Sequence, residues 1–310
     1  MISIVSSVYN EGEILPELLR RLTAVLSSRG EDYEIILIDN GSTDETPAIL
    51  TDAHAKNPNV KMIQLSRNFG QVMALRAGLK FAGGDMVITM DGDLQDLPEE
   101  IPKLIAKLKD GYDIVCAKRL NRKDTLFRRL PSFCMRKILS FLMRGGDMPQ
   151  GNEYALVGVF RAMEREVVDA INNLPEHTGH IQGLIRWVGF REGIIEVEHG
   201  KRLKGKSKYP LGKLIAYALD GAVAASTYPL RIVTFIGILL AAASFLLGIW
   251  QFVYRILYGT KLAGFTTLIL VILFIGGMQF IILGILGEYI GRVYMETKNR
   301  PLFVIKKKLL

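Results

Sequence analysis

Two long apolar runs near the C-terminus, Ile232–Tyr254 and Leu262–Gly287, constrain this chain more than any other feature. Neither contains a charged residue, and each exceeds the roughly 20 residues that an α-helix needs to cross the hydrocarbon core of a bilayer. Inside lipid every backbone polar group must be satisfied within its own segment, so runs of this length are predicted to be helical. The link between them is short, which makes the pair a hairpin with both ends on one side. Arg292, Lys298, Arg300, Lys306, Lys307 and Lys308 follow the second run, while the link holds only Arg255 and Lys261. By the positive-inside rule, the N-terminal part and the tail are then both expected on the cytoplasmic face. The competing reading, a hairpin buried in a soluble core, is disfavoured by the length of the runs.

The first two-thirds of the chain has a different pattern. Five β-rich segments, Ile2–Val8, Tyr33–Asp39, Val60–Leu65, Met86–Met90 and Ile114–Ala117, alternate with stretches of helical periodicity. Leu15, Leu18, Leu19, Leu22 and Leu26 form one stripe, and Ile101, Leu104, Ile105 and Leu108 another. Strand–helix alternation at this spacing predicts an α/β domain with a mostly parallel sheet, whose ligands bind at the carboxyl ends of the strands. Polar residues gather at those ends: Tyr9-Asn10-Glu11, Asp39-Asn40-Gly41-Ser42 and Asp91-Gly92-Asp93. From Asp124 to Arg144, apolar residues interleave with Arg128, Arg129, Arg136, Lys137 and Arg144, a basic amphipathic pattern suited either to a membrane interface or to a surface helix. A second such segment, Leu211–Thr227, leads into the first apolar run. The expected organisation is a cytosolic domain over 1–210, an interfacial helix over 211–228, a transmembrane hairpin over 229–291 and a basic cytosolic tail over 292–310.

The formal net charge of +8 fits contact with anionic lipid or binding of phosphate ligands. No nucleic-acid motif is present, so nucleic acid is not an expected partner. Cys116 and Cys134 have no metal-ligand spacing and read as reduced thiols. The N-terminus enters a strand-like segment directly, so no signal peptide is expected. His54, His177, His180 and His199 have no ligand spacing and are assigned ordinary polar roles.

The strongest local signal is Met90-Asp91-Gly92-Asp93-Leu94-Gln95-Asp96. Two carboxylates held one residue apart past an apolar strand repel each other unless a cation lies between them. Oxygen donors select Mg²⁺ or Mn²⁺, and Mg²⁺ commonly takes one or two carboxylates together with substrate phosphates. An acidic turn with no ligand is the alternative, and D-x-D alone occurs often by chance. Its place at the fourth strand end, with Asp39 at the second, favours a site.

These motifs resemble those of the family 2 glycosyltransferases with the GT-A fold, and among them the polyisoprenyl-phosphate glycosyltransferases. The resemblance is strongest to the bactoprenol (undecaprenyl-phosphate) glucosyltransferases of O-antigen modification. The aminoarabinose-lipid transferases and dolichyl-phosphate-mannose synthases are more distant. It rests on Val8-Tyr9-Asn10-Glu11, Asp39-Asn40-Gly41-Ser42, Arg67-Asn68-Phe69-Gly70, Asp91 to Asp96, Lys206-Ser207-Lys208-Tyr209, Ser226 to Arg231, Gly284 to Arg292 and Arg300-Pro301. It implies a Rossmann-like GT-A domain with interfacial helices and a two-helix transmembrane hairpin, in a bacterial inner-membrane enzyme. That enzyme would move one sugar, glucose first among the candidates, from a UDP-sugar to undecaprenyl phosphate with inversion, for cell-envelope glycan modification. By position, Tyr9, Glu11, Asp39, Asn68 and Asp91 would hold the nucleotide sugar, and Asp91, Asp93 and Gln95 would hold Mg²⁺ or Mn²⁺. Asp91 and Asp93 would be the catalytic pair, and Arg119, Arg128, Arg202 and Lys208 would bind the donor or lipid phosphates. Assembly as a homo-oligomer, a tetramer among the options, is also implied, and recurrent small residues such as Gly237, Ala241, Gly276 and Gly284 allow close helix packing in lipid.

The chain departs from the resembling pattern at three places. Ser7 stands where Pro is usual. Gln71 stands where Lys is common, although the aminoarabinose-type enzymes also carry Gln there. Val159, in Gly158-Val159-Phe160-Arg161, replaces an Asp, and Asn152 and Glu153 lie just upstream as alternative polar groups. Gln182 to Trp187 matches the Q-x-x-R-W motif of processive polysaccharide synthases, which makes a chain-extending synthase one alternative. Such enzymes usually carry more membrane helices than one hairpin supplies. A non-catalytic membrane scaffold is the other alternative, and the retained Asp39, Asp91, Asp93 and Gln95 speak against it.

Overall fold

A computed structural model describes residues 1–119, 158–174, 181–198, 200, 228–258 and 264–310. The chain divides into two units, one of Met1–Arg129, Met148–Tyr209 and Arg300–Leu310, the other of Leu130–Asp147 and Pro210–Asn299.

The first unit is built on one eight-stranded sheet. Its strands are β1 (Ile2–Val8), β2 (Tyr33–Asp39), β3 (Val60–Leu65), β4 (Met86–Asp91), β5 (Ile114–Arg119), β6 (Arg161–Glu164), β7 (Glu192–Val197) and β8 (Ile305–Leu309). The spatial order is β7-β5-β6-β4-β1-β2-β3-β8. β1 pairs in parallel with β2 and β4, β2 with β3, and β5 with β7. β6 runs antiparallel between β4 and β5, and β8 runs antiparallel along β3. Four of the predicted strands begin and end within one residue of the expected bounds, and β5 runs two residues further. The sequence pattern had not marked β6, β7 and β8 as strands; β6 has only four residues, and three of the five in β8 are lysines.

The central strands carry apolar side chains on both faces because helices cover both faces. Their period of two sorts these side chains into two cores. Ile4, Ile35, Leu37 and Ile88 face one core, which is closed by α1 (Leu15–Ser27) through Leu15, Leu18, Leu22 and Leu26 and by α4 (Ile101–Lys109) through Ile101, Leu104, Ile105 and Leu108. α2 (Thr46–Lys56) adds Leu50 to the same side. Val5, Ile36, Ile38 and Val87 face the other core, closed by α3 (Gln71–Phe81) and α5 (Arg165–Asn172). Both predicted leucine-rich stripes are therefore buried as expected, with Leu19 only partly covered. α6 (Ile181–Val188) carries the Q-x-x-R-W residues; its Leu184 and Ile185 are buried and Trp187 is exposed.

Charged side chains are buried inside this sheet, Glu34 and Arg161 among them. Glu34 on β2 is 2% exposed. It accepts hydrogen bonds from Ser3 Oγ at 2.5 Å and the Gly83 amide at 2.6 Å, and pairs with Lys61 Nζ at 2.7 Å. It thereby links β1, β3 and the turn before β4. Burial alone would raise its pKa, but Lys61, Ser3 and the Gly83 amide together hold the carboxyl below its ordinary value of 4.5.

The second unit contains two helices, α7 (Tyr228–Tyr258) and α8 (Phe265–Thr297), which extend the predicted runs at their outer ends. Both are long and apolar enough to cross a membrane. Their large apolar side chains are exposed, Phe245 at 70% and Phe280 at 77% among them, which an aqueous surface would not tolerate over such an area.

The Glu34 cluster makes a prediction. A depressed folded-state pKa contributes stability that is complete above the unfolded pKa and is lost as pH falls through the folded value. Glu34→Gln should lower stability near neutral pH by about 2 kcal/mol. It should also flatten the acid side of the profile below about pH 5 relative to the parent chain. Thermal unfolding of the detergent-solubilised protein between pH 4 and 7.5 measures both.

Candidate active site

The carboxyl ends of β1, β2 and β4 lie side by side, since Val8 pairs with Asp39 and Ser7 with Asp91. Three loops leave these ends, together with the loop after β3, and they are tied together by specific hydrogen bonds.

The β1 loop turns at Asn10, which adopts a left-handed conformation (φ 54°), one that Asn tolerates better than most residues. Its amide donates to Ser42 Oγ at 2.9 Å, and its side-chain carbonyl accepts from the Thr43 amide at 2.9 Å. The Glu11 amide donates to Thr46 Oγ1 at 3.1 Å, while the Glu11 carbonyl accepts the Ile14 and Leu15 amides that open α1. Asp44 accepts from the Gly12 and Thr46 amides at 3.2 and 3.0 Å. Partial burial works against its charge, but these bonds outweigh it and hold the Asp44 carboxyl below its ordinary range. Tyr9 stands exposed at the rim.

Asp39 ends β2 fully buried. Its Oδ1 accepts the Ser42 amide at 2.9 Å, whereas its Oδ2 is buried with no hydrogen-bond partner. An unsatisfied buried carboxylate oxygen costs on the order of 1–3 kcal/mol or more, so the position favours a ligand that brings a donor. Next to it, Asn40 joins three loops. Its amide donates to the Val8 carbonyl at 2.9 Å, its side-chain carbonyl accepts the Phe69 amide at 2.9 Å, and its side-chain NH₂ donates to Asn68 Oδ1 at 3.3 Å. Asn68 Oδ1 also accepts the Gly70 amide at 2.9 Å. Gly41 (φ 77°) allows this approach, because a Cβ there would lie 2.5 Å from the Arg67 carbonyl carbon.

The acidic turn follows β4. Gly92 presses against the end of β1, where a Cβ would come within 2.7 Å of Val8 Cγ1. Leu94 is left-handed (φ 59°) yet buried, a conformation costing about 1–3 kcal/mol that must be held by its surroundings. The holding contacts are visible. Asp96 Oδ2 accepts the Asp91 amide at 3.1 Å, and the Gly200 amide donates to the Gln95 carbonyl at 2.9 Å. Asp93 accepts the Gln95 amide at 3.1 Å and the Gln95 side-chain NH₂ at 2.5 Å. Asp91 Oδ1 accepts from the side-chain amide of Gln71, the first residue of α3.

The structure therefore brings Tyr9, Glu11, Asp39, Asn68, Asp91, Asp93 and Gln95 to one edge of the sheet. Asn40 and Gln71 join them without having been singled out as site residues. Asn40 was legible only as part of a motif, and Gln71 only as a departure from a common Lys. Among the described residues no set of three or more His, Cys, Asp or Glu side chains converges as a metal cage. The donor set is two carboxylates of hard oxygen. That set suits a divalent cation completed by ligand phosphates. Val159 is partly buried against the second core, and its carbonyl accepts the Thr89 hydroxyl at 2.6 Å. Arg119 ends β5, with its backbone alone described. Arg128, Arg202, Lys208, Asn152, Glu153, His177, His180, His199 and the segments Asp124–Arg144 and Leu211–Thr227 lie outside the described residues.

Comparison with known proteins agrees with this arrangement. Residues 3–171 match glycosyl transferase family 2, and residues 228–293 match the GtrB C-terminal hairpin. The chain is 40% identical over 307 residues to the SfII prophage-derived bactoprenol glucosyl transferase of Shigella flexneri, covering 99% of this chain and 97% of that protein. It is 38% identical over 310 residues to the undecaprenyl-phosphate 4-deoxy-4-formamido-L-arabinose transferase of Enterobacter sp. (strain 638), covering 99% and 93%. In fold it is similar to glucosyl-3-phosphoglycerate synthase from Mycobacterium tuberculosis in complex with phosphoglyceric acid, with a TM-score of 0.50 and 18% identity over 72% of this chain and 78% of that one. With more than half its length matched by the family and full-length relatives near 40% identity, the chain belongs to glycosyltransferase family 2, as a GT-A glycosyltransferase with a C-terminal hairpin of the GtrB type.

Proposed function

We propose that this chain transfers a single sugar, glucose first among the candidates, from a UDP-sugar to undecaprenyl phosphate, with inversion at the anomeric carbon. The observation that carries the reading is Asp39: a fully buried carboxylate with one unpartnered oxygen at the end of β2, which β1 alone separates from β4, the strand that positions Asp91 and Asp93. A uracil or ribose donor hydrogen would satisfy that oxygen, and the acidic pair at the end of β4, beyond β1, suits the diphosphate end of the same ligand. The acceptor is supported by the full-length relatives, whose names specify bactoprenol and undecaprenyl phosphate.

Asp91 and Asp93 would hold Mg²⁺ or Mn²⁺, with Gln71 and Gln95 orienting their carboxylates. The ion would supply Lewis-acid neutralisation of charge on the departing diphosphate. Asp39, Asn68, Glu11 and Tyr9 bind and orient the nucleoside. One acceptor phosphate oxygen bonds to the anomeric carbon while the bond from that carbon to the diphosphate oxygen breaks, and UDP leaves with the electron pair. The acceptor is a phosphate monoester with a second pKa of about 6, so it is largely dianionic at neutral pH and needs no general base. This fits an apolar residue, Val159, where the resembling family pattern has an Asp. The protein's task is then orientation of two anionic reactants, a role for Arg119, Arg128, Arg202 and Lys208.

The hairpin is read as two membrane spans that keep the site near the acceptor's headgroup. A chain that leaves a sheet after Val197 and re-enters it at Ile305 crosses any intervening bilayer an even number of times, which supports this topology. The lysine-rich tail supports a cytoplasmic placement for both termini, in the bacterial inner membrane. Assembly as a homo-oligomer, a tetramer among the options, belongs to the same reading.

Four measurements test it. Purified protein incubated with undecaprenyl phosphate and a panel of labelled nucleotide sugars should yield one lipid-linked monosaccharide by mass; a polymer would favour the processive alternative, and no product the scaffold. Asp93→Ala should lower turnover by at least about 100-fold without loss of folding, and Asp39→Asn should weaken UDP binding by about 10-fold or more. Residual Asp93→Ala activity within a few-fold of the parent would remove the metal assignment. Tags at the N-terminus and after Lys308 should be protected in intact cells, and a tag near Gly259 should be accessible. Labelling of the two termini on opposite faces would exclude the hairpin topology.

A further inference from the structure

We infer that the segment following the second apolar helix, Phe303–Ile305, positions the loop Arg67–Gln71 and thereby sets the affinity of the donor site. The inference rests on the reading of that loop as part of the donor site and goes beyond it by assigning a role to the C-terminal strand.

Helix α8 ends at Thr297 with Lys298 as its cap, and Asn299 turns the chain out of the helix in a left-handed conformation (φ 44°), with Pro301 unable to resume it. At Ile305 the chain enters the sheet as β8. Met62 pairs with Leu309, Ile63 with Lys308 and Gln64 with Lys307. The register then shifts, so that Leu65 meets Ile305 instead of Lys306. A bulge of this kind re-aims a strand at its end. The pairing continues past the last residue of β3, because the Ser66 amide donates to the Val304 carbonyl at 2.9 Å.

Ser66 is the residue immediately before the loop. Beyond it, Arg67 stacks over the Phe69 ring at 4.0 Å, and the Phe69 and Gly70 amides are held by Asn40 and Asn68. Gln71 then reaches Asp91. Phe303 and Ile305 pack against the second core, as do Phe69 and Val72. The loop is thus held by Asn40 within the site, and its first residue follows Ser66, which the C-terminal segment holds through Val304. Without β8, β3 would be an open edge strand, and the loop that leaves it would lose the anchor at Ser66 while keeping its contacts to Asn40, Gly41, Asp91 and the second core. Such an edge frays at low cost, and an offset of about 1 Å in a binding loop is enough to matter. Lys306 and Lys307 are exposed, so the strand's role lies in its backbone pairing and in Phe303 and Ile305 more than in its charges.

The test uses the full-length protein in lipid nanodiscs with Phe303→Ala, the conservative Phe303→Leu and the control Lys307→Gln. Hydrogen exchange of the Phe69 and Gly70 amides reads loop position directly, without any assumption about the donor. Phe303→Ala should accelerate that exchange about tenfold while leaving the β4 amides Met86–Asp91 unchanged, with Phe303→Leu near the parent value. It should also weaken UDP binding about fivefold to tenfold and raise the KM for nucleotide sugar to match, with the KM for undecaprenyl phosphate and kcat within about twofold of the parent. Lys307→Gln should change none of these. Unaltered exchange over residues 67–71 in a folded Phe303→Ala protein overturns the inference, as does acceleration spread equally over β4, which would mean general destabilisation. If the parent chain does not bind UDP, the donor reading falls, and the exchange result still decides whether the segment positions the loop.

Discussion

A sheet covered on both faces can gather polar groups at little cost only where its strands end. Ile35, Ile36, Leu37 and Ile38 are all buried, two towards each core, so there is no room for charge along the middle of β2. Glu34, a buried charge within the sheet, sits at the opposite end of β2 from the site and needs Lys61, Ser3 and the Gly83 amide to hold its charge. At the carboxyl edge the constraint relaxes, because the loop amides of residues 42, 69 and 70 are free of sheet pairing and can bind side-chain oxygens. That edge collects Asp39, Asn40, Asn68, Asp91 and Asp93. The acidic pair stands where a parallel sheet has its one chemically permissive margin.

Local strain and local support are matched at this margin. Asn10 and Leu94 both adopt left-handed conformations, and both lie in loops closed by at least two side-chain hydrogen bonds. Gly41 and Gly92 let backbone segments approach more closely than any side chain would permit. These features fix the loops before a ligand arrives. The unpartnered oxygen of Asp39 is left within this hydrogen-bonded framework. Preorganisation of this kind reduces the ordering cost of binding.

The same logic explains how far the sequence could be read. The strands β1 to β4 were legible to within a residue because each is a short, strongly apolar run bounded by turn residues, and the helices α1 and α4 because leucine and isoleucine recur at helical spacing. The acidic turn and Asp39 were legible because they fall directly after such runs. β6 and β7 were not, since their residues alternate weakly and their pairing depends on partners distant in the chain, Thr89 and Cys116 for Arg161 and Val115 for Gly193. β8 was hidden most completely. Ile-Lys-Lys-Lys-Leu reads as a solvated basic tail, and it becomes a strand only because β3 offers an unpaired edge.

By itself the sequence determined the doubly covered α/β sheet, the two apolar helices and the placing of carboxylates at strand ends, because each follows from local periodicity and from the avoidance of buried charge. Tertiary structure alone decided which loops meet. The hydrogen bonds of Asn40 to the loops after β1 and β3, the contact of Gln71 with Asp91, the burial that leaves one Asp39 oxygen unpartnered, and the return of residues 303–309 to the edge of the sheet all join segments far apart in the chain. Such contacts arise from the register of a closed hydrogen-bond network, and residue type and spacing carry no record of that register.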